Sequence, residues 1–127
     1  METRAAKTQQ SQIDINVYHV VMLARLLLPR LKARFSSTAL LVNSSAAYMK
    51  WFPAGVVYSA TKAFITQFTQ GLAIELHNSN VDVQCLNPFG TATNIVSHWG
   101  LKLVGTPCSK VIGCSLDDLG RSRSYCL

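Results

Sequence analysis

Two short apolar runs constrain this chain more than anything else in it: TALLVNSS at 38–45 and VDVQCLNP at 81–88. Each is too short for a helix and is closed by serines or a proline, the pattern of a strand buried on both faces of a parallel sheet. Helical periodicity fills the space around them. Ile13, Val17, Val20, Val21, Ala24, Leu27, Leu28 and Leu31 recur at three and four residues and predict a helix from Ile13 to about Arg34. Residues 56–78 predict a second long helix, with Val57, Ala60, Phe64, Phe68, Leu72 and Leu76 as its apolar stripe. A short helix is expected from Pro107 to Leu119, since proline suits a first turn. Residues 1–12 lack apolar periodicity and are expected to be loose, and AAYMKWFPAG reads as an irregular link. Helix, strand, helix, strand, helix is the alternation of a parallel α/β layer fold. A doubly wound sheet normally has five or more strands, and only two clear ones are present, so the chain reads as part of such a fold.

Composition narrows the classes. With 127 residues, 49% hydrophobic and 14% charged, the chain fits one packed domain and is not a disordered polymer. Its formal charge of +6 invites a nucleic-acid reading. The twelve Lys and Arg, however, are spread from Arg4 to Arg123, and the one local cluster, Arg30, Lys32 and Arg34, sits where cations favour a helix C-terminus. No nucleic-acid partner is expected. Cys85, Cys108, Cys114 and Cys126 have neither zinc-site spacing nor a histidine at ligand distance, so no metal site is expected. The opening METRAAKTQQSQ is unlike a signal peptide, and Ile13 to Leu31 contains His19, Arg25 and Pro29, so no membrane segment is read in this chain.

The chemistry begins at GVVYSATKAF, residues 55–64, where Tyr58 and Lys62 stand four apart and share one face of the predicted helix. Four tyrosines and six lysines in this length give roughly 0.2 such pairs by chance, so the neighbours must decide. Ser45 ends the first strand, and ligands of open α/β sheets bind at the carboxyl ends of strands. An ammonium beside a phenol favours its ionised form, which makes Tyr58 a usable acid. Taken singly, Ser45 also reads as a turn residue, Asn16 as a helix cap, Tyr58 as an amphipathic packing residue and Lys62 as a snorkelling surface lysine.

Taken together, Asn16, the N-S-S ending in Ser45, Y-S-A-T-K-A-F at 58–64 and L-N-P-F-G-T-A-T at 86–93 match in order and spacing the second half of the classical short-chain dehydrogenases/reductases. The resemblance runs from about Ile13 to the end. L-A-I-E-L at 72–76 and P-F-G-T-A-T, with an aromatic after the proline, look like the 17β-hydroxysteroid dehydrogenase and 3-ketoacyl-CoA reductase branch. It implies an α/β fold, a partial Rossmann-like doubly wound parallel sheet lacking the N-terminal dinucleotide-binding half.

By the same resemblance, Tyr58 is the general acid, Lys62 holds the nicotinamide ribose and tunes the tyrosine, Ser45 donates to the carbonyl oxygen, and Asn16 anchors a water that links Lys62 to solvent. Tyr58, Lys62, Pro88, Gly90, Thr91 and Thr93 are the implied cofactor-binding set, and NADP is the implied cofactor, with NAD as the alternative. Phe89 stands where the family usually has glycine. The implied substrate is a steroid or a long-chain 3-oxoacyl compound, and the implied setting is cytoplasmic or endoplasmic-reticulum-associated. A homodimer, or a heterodimer with a full-length homologue, is expected through the two long helices. The family's T-G-x-x-x-G-x-G turn, which receives the pyrophosphate at a helix N-terminus, is absent: glycines stand at 55, 71, 90, 100, 105, 113 and 120, with no G-x-G. The chain therefore looks like the catalytic half of a dehydrogenase, with little activity expected of it alone.

Overall fold

The computed structural model describes residues 6–49, 55–91, 106–119 and 124–126. Helix α1, Ala6–Ile13, runs through one turn of π-helix at Asp14–Tyr18 into α2, His19–Lys32. Strand β1, Thr38–Asn43, leads through a 3-10 turn at Ala46–Tyr48 towards the long helix α3, Val56–Glu75. Strand β2, Val81–Asn87, then α4, Cys108–Asp117, and β3, Ser124–Cys126, complete the order. The three strands form one parallel sheet in the order β1-β2-β3, with Thr38 opposite Val81 and Asn43 opposite Leu86. Both strands read from the sequence are present, and β3 adds a third whose three residues are too few to leave a periodic signal.

Three expectations shift. The stretch expected to be loose, residues 1–12, is helical from Ala6, although nothing in Ala6–Ile13 is buried. Alanine, lysine and glutamine favour a helix without any apolar face, which is why periodicity misses it. The inward face of α3 is also rotated from the apolar stripe. Thr61, Ile65, Thr66, Thr69, Leu72 and Ala73 are buried, while Ala60 and Phe64 face outward. Last, α3 and β1 stop earlier than the sequence suggested, at Glu75 and Asn43, because the chain turns at their ends.

The core lies between the helices and one sheet face. Ala24, Leu72, Ala73, Leu76, Val81 and Val83 form its buried centre, with Leu28, Leu31, Leu40 and Phe68 packed around it. Alternation along β2 turns Val81, Val83, Cys85 and Asn87 inward. Asn80 seals the end of α2 to the start of β2: its Nδ2 donates to the carbonyls of Leu31 at 3.1 Å and Arg34 at 2.8 Å, where the chain leaves the helix.

Among the described residues β1 pairs only with β2, so its far edge carries no strand. Thr38 N–H donates to Asn80 O and Ser44 N–H to Leu86 O, so even-numbered residues of β1 aim their backbone groups at β2. Ala39, Leu41 and Asn43 therefore aim theirs at the open edge.

Candidate active site

The site gathers where β1 and β2 end and α3 begins. Ser45 follows β1 in an extended conformation, φ −168° and ψ 148°, and its Oγ accepts the N–H of Ala47 at 3.2 Å. That bond leaves the serine's own proton to donate elsewhere. Ala46 N–H donates to Pro88 O at 3.1 Å, which ties the Ser45 turn to the loop after β2.

Tyr58 and Lys62 are both half-buried on the first turns of α3. The Lys62 Nζ stands 5.6 Å from the Tyr58 ring centroid and donates to the carbonyl of Asn43 at 3.3 Å, one of the groups aimed at the open sheet edge. Loss of water around the ammonium holds Lys62 below the usual lysine range, partly opposed by the Cys85 thiol nearby. Burial likewise pushes the Cys85 thiol up, partly opposed by its hydrogen bonding with Thr66, Thr69 and Asn87 and by the nearby Lys62 charge. Desolvation beside a specific neighbour marks Lys62 as a candidate for a working charge.

Asn16 lies in the π turn, a widening of the helix that recurs at functional sites. Its Nδ2 donates to Thr61 Oγ1 at 3.1 Å, and Thr61 Oγ1 donates to the Tyr58 carbonyl at 2.7 Å. Asn16 thus reaches the helix step between the tyrosine and the lysine through Thr61. The structure brings Asn16, Ser45, Tyr58 and Lys62 to one end of the sheet together with Pro88, Gly90 and Thr91. Thr93 lies outside the described residues, as do His98, Trp99 and Gly100.

Gly90 adopts φ +59°, a conformation few other residues tolerate, and among the described residues other than its chain neighbours no heavy atom lies within 4 Å of where its Cβ would be. Thr106 N–H donates to Gly90 O at 3.0 Å, and a parallel bridge pairs Thr91 with Thr106. A positive-φ glycine, which lets the backbone approach a ligand closely, and a partly desolvated cation fit the nicotinamide and ribose end of a dinucleotide. For the pyrophosphate end this sequence offers no glycine turn. Among the described residues there is no cluster of His, Cys, Asp or Glu able to hold a metal, and no helix long and apolar enough to cross a membrane.

Four residues around the site escaped sequence reasoning: Ser44, Thr61, Thr66 and Asn87, all buried. A signal for one of them exists. Thr66, together with Thr69, falls on the same face of α3 as Leu72 and Leu76, and hydroxyls there mark hydrogen bonding within the core.

Comparison with known proteins bears on the same residues. Over 97 residues the chain is 30% identical to 17-beta-hydroxysteroid dehydrogenase type 3 of Mus musculus, an alignment covering 76% of this chain and 32% of that protein. It is 40% identical over 88 residues to very-long-chain 3-oxoacyl-CoA reductase of Rattus norvegicus, covering 69% of this chain and 28% of that one. The chain thus spans about a third of the length of the curated relatives it matches. In fold it superposes on serine dehydrogenase complexed with NADP+ at a TM-score of 0.83 and 19% identity, covering 99% of this chain and 57% of that one. It superposes on 4-hydroxyisoleucine dehydrogenase complexed with NADH at 0.81 and 14% identity, covering 100% and 60%. The family model described as short chain dehydrogenase matches residues 1–103, a span that contains Asn16, Ser45, Tyr58, Lys62 and the Pro88–Thr91 loop, and the chain belongs to that family.

Proposed function

We propose that this chain carries the proton-transfer machinery of a nicotinamide-dependent oxidoreductase that interconverts a ketone and a secondary alcohol on a steroid or long-chain 3-oxoacyl substrate. The observation that carries the reading is Tyr58 and Lys62 on one face of α3, with a desolvated ammonium 5.6 Å from the phenol ring at the carboxyl end of the sheet. The dinucleotide supplies or accepts the hydride when bound. Tyr58 donates its hydroxyl proton to the substrate oxygen as the carbonyl is reduced, and takes it back in the reverse direction. The positive charge of Lys62 stabilises the phenolate left behind. Ser45, whose Oγ already accepts Ala47 N–H, has its proton available for the same substrate oxygen. Asn16 holds the helix step between Tyr58 and Lys62 through Thr61, beside the lysine it would join to solvent.

Substrate class follows relatives named for 17-beta-hydroxysteroid and very-long-chain 3-oxoacyl-CoA chemistry. NADP(H) is the cofactor this reading takes, with NAD(H) as the alternative. Residues 1–127 alone turn over little or nothing, because the sequence carries no glycine-rich turn for the pyrophosphate. The test joins this chain behind the N-terminal part of the rat 3-oxoacyl-CoA reductase and follows oxidation of NADPH and of NADH with a 3-oxoacyl-CoA. The hybrid is expected to reduce it, with Tyr58→Phe lowering kcat by about 10²–10⁴-fold. A folded hybrid without turnover, or one indifferent to Tyr58→Phe, sinks the reading. Turnover by residues 1–127 alone, abolished by Tyr58→Phe, sinks the claim that the chain needs a complement.

A second reading has its own observation. Ile15 and Tyr18 in the π turn, Leu23 and Leu26 on α2 and Phe64 on α3 are large apolar side chains exposed to solvent, the composition of an uncovered helix interface. The chain would then pair with a second copy or with a full-length homologue and act without catalysis. Co-purification of an inactive complex with such a homologue supports it, and a monomer at high concentration opposes it.

A further inference from the structure

The three segments that carry the site are each tied into one buried polar cluster, and each tie is made by a residue beside a site residue. Ser44 precedes Ser45, Asn87 precedes Pro88, and Thr66 lies one helical turn after Lys62. Ser44 Oγ donates to the Lys62 carbonyl at 2.9 Å, joining the end of β1 to the turn of α3 that bears the ammonium. Thr66 Oγ1 stands 2.9 Å from Ser44 Oγ and 3.0 Å from Asn87 Oδ1, joining that helix to both strand ends. Cys85 Sγ closes the cluster at 3.9 Å from Thr66 Oγ1 and 3.8 Å from Asn87 Oδ1. Ser44 and Thr66 are 3% exposed and Asn87 is 0% exposed, so no bulk water competes for these bonds.

We infer that Ser44, Thr66 and Asn87 form a positioning clamp that fixes Ser45, the Tyr58–Lys62 turn and the Pro88 loop relative to one another. None of the three touches the reacting atoms. Their effect is geometric, because hydrogen bonds have preferred lengths and angles, whereas apolar contacts tolerate sliding. Thr66 is the hub: its one hydroxyl meets both strands, and a valine of the same shape would leave Ser44 and Asn87 facing a methyl group. The inference rests on the proposed roles of Ser45, Tyr58 and Lys62, and its test needs no turnover.

The test follows titration of the lysine side chains by NMR in the full 127-residue chain, with Lys7 and Lys110 as exposed references. Among the described residues, the titratable groups recorded against Lys62 are Tyr58 and Cys85. In the wild type Lys62 is expected to titrate below the references. Thr66→Val loosens the clamp, admits water and moves the Lys62 titration up by about half a unit or more, and Thr66→Ser restores it. Leu72→Ala, at the apolar end of the same helix, lowers stability without moving Lys62. Should Thr66→Val fail to fold, Ser44→Ala removes the tie to the Lys62 carbonyl alone and is read the same way. A Lys62 titration unmoved by Thr66→Val, or by Ser44→Ala, or moved equally by Leu72→Ala, overturns the clamp and leaves the proposed function standing. A wild-type Lys62 titrating with Lys7 and Lys110 overturns the tuning role of Lys62 and the clamp with it.

Discussion

The two halves of α3 are held to the sheet by different physics. From Leu72 to Leu76 the helix lays hydrocarbon on hydrocarbon, against Ala24, Val81 and Val83. From Thr61 to Thr69 it presents hydroxyls, and those of Thr61 and Thr66 reach Asn16, Ser44 and Asn87 on other elements. Apolar burial is strong and non-directional: it keeps the helix down without deciding its exact height or roll. Buried hydrogen bonds add little net stability but fix position, since each one missed leaves a dry donor or acceptor. One helix therefore carries stability at its C-terminal half and site geometry at its N-terminal half.

The largest expected effect separates these roles. Leu72 is buried in the core cluster, and Leu72→Ala removes its side chain from a packed neighbourhood. The expected cost is about 2–5 kcal/mol, seen as a lower urea midpoint. Below the transition, distances around Thr66 and Ser44 should be unchanged, because the cavity opens at the other end of the helix. A loss under about 1 kcal/mol would mean that the apolar half does not anchor the helix as described.

How much of this was legible in the sequence follows the same division. The strands at Thr38–Asn43 and Val81–Asn87 announced themselves because apolar runs closed by serine and proline have few other ways to fold. Asn16, Ser45, Tyr58 and Lys62 stood out through the family pattern they match in order and spacing, and hydrogen bonds place Asn16 beside Thr61 and Lys62 beside the end of β1. The inward face of α3 was misread because Thr66 and Thr69 count as polar in any periodicity, although both are buried. Thr66 finds its partners in Asn87 and Ser44, about twenty residues away in sequence, and Thr69 in the carbonyl of Ile65 one turn before it. The helical Ala6–Ile13 was missed for the opposite reason, having propensity and no pattern.

Gln84 offers a contrast with the clamp. It is as buried as Asn87 and lies on the same strand, but on the opposite sheet face, and neither its amide oxygen nor its nitrogen has a hydrogen-bond partner among the described residues. An amide buried without partners costs about 1–3 kcal/mol, so Gln84→Leu should raise the stability of residues 1–127 by about 1 kcal/mol. Asn87→Leu, by contrast, should lower it, since the bond from Thr66 is lost. A fall in the urea midpoint of Gln84→Leu would show that the amide is satisfied in solution, and the contrast between the two faces of β2 would be gone.

The smallest expected effect is a change of slope with pH, and it reads the clamp end of the helix directly. The folded chain holds Lys62 below its ordinary 10.5, so the neutral amine is favoured by folding. Its contribution to stability is present above 10.5 and is lost as the pH falls through the folded value. Cys85 has the opposite sign: its folded value lies above the ordinary 9.0, so its contribution is complete below 9.0 and is lost as the pH rises through the folded value. Where the two transitions overlap they oppose one another, and the wild-type profile is flattened there. Lys62→Met removes the rising contribution, so its urea midpoint should fall faster than that of the wild type as the pH climbs past 9.0. Cys85→Ala removes the falling one, and its midpoint should hold or rise over the same window. Parallel profiles for the three proteins would mean that Lys62 is as well solvated folded as unfolded. The N-terminal half of α3 would then differ from its C-terminal half in composition alone, and not in what it does to a charge.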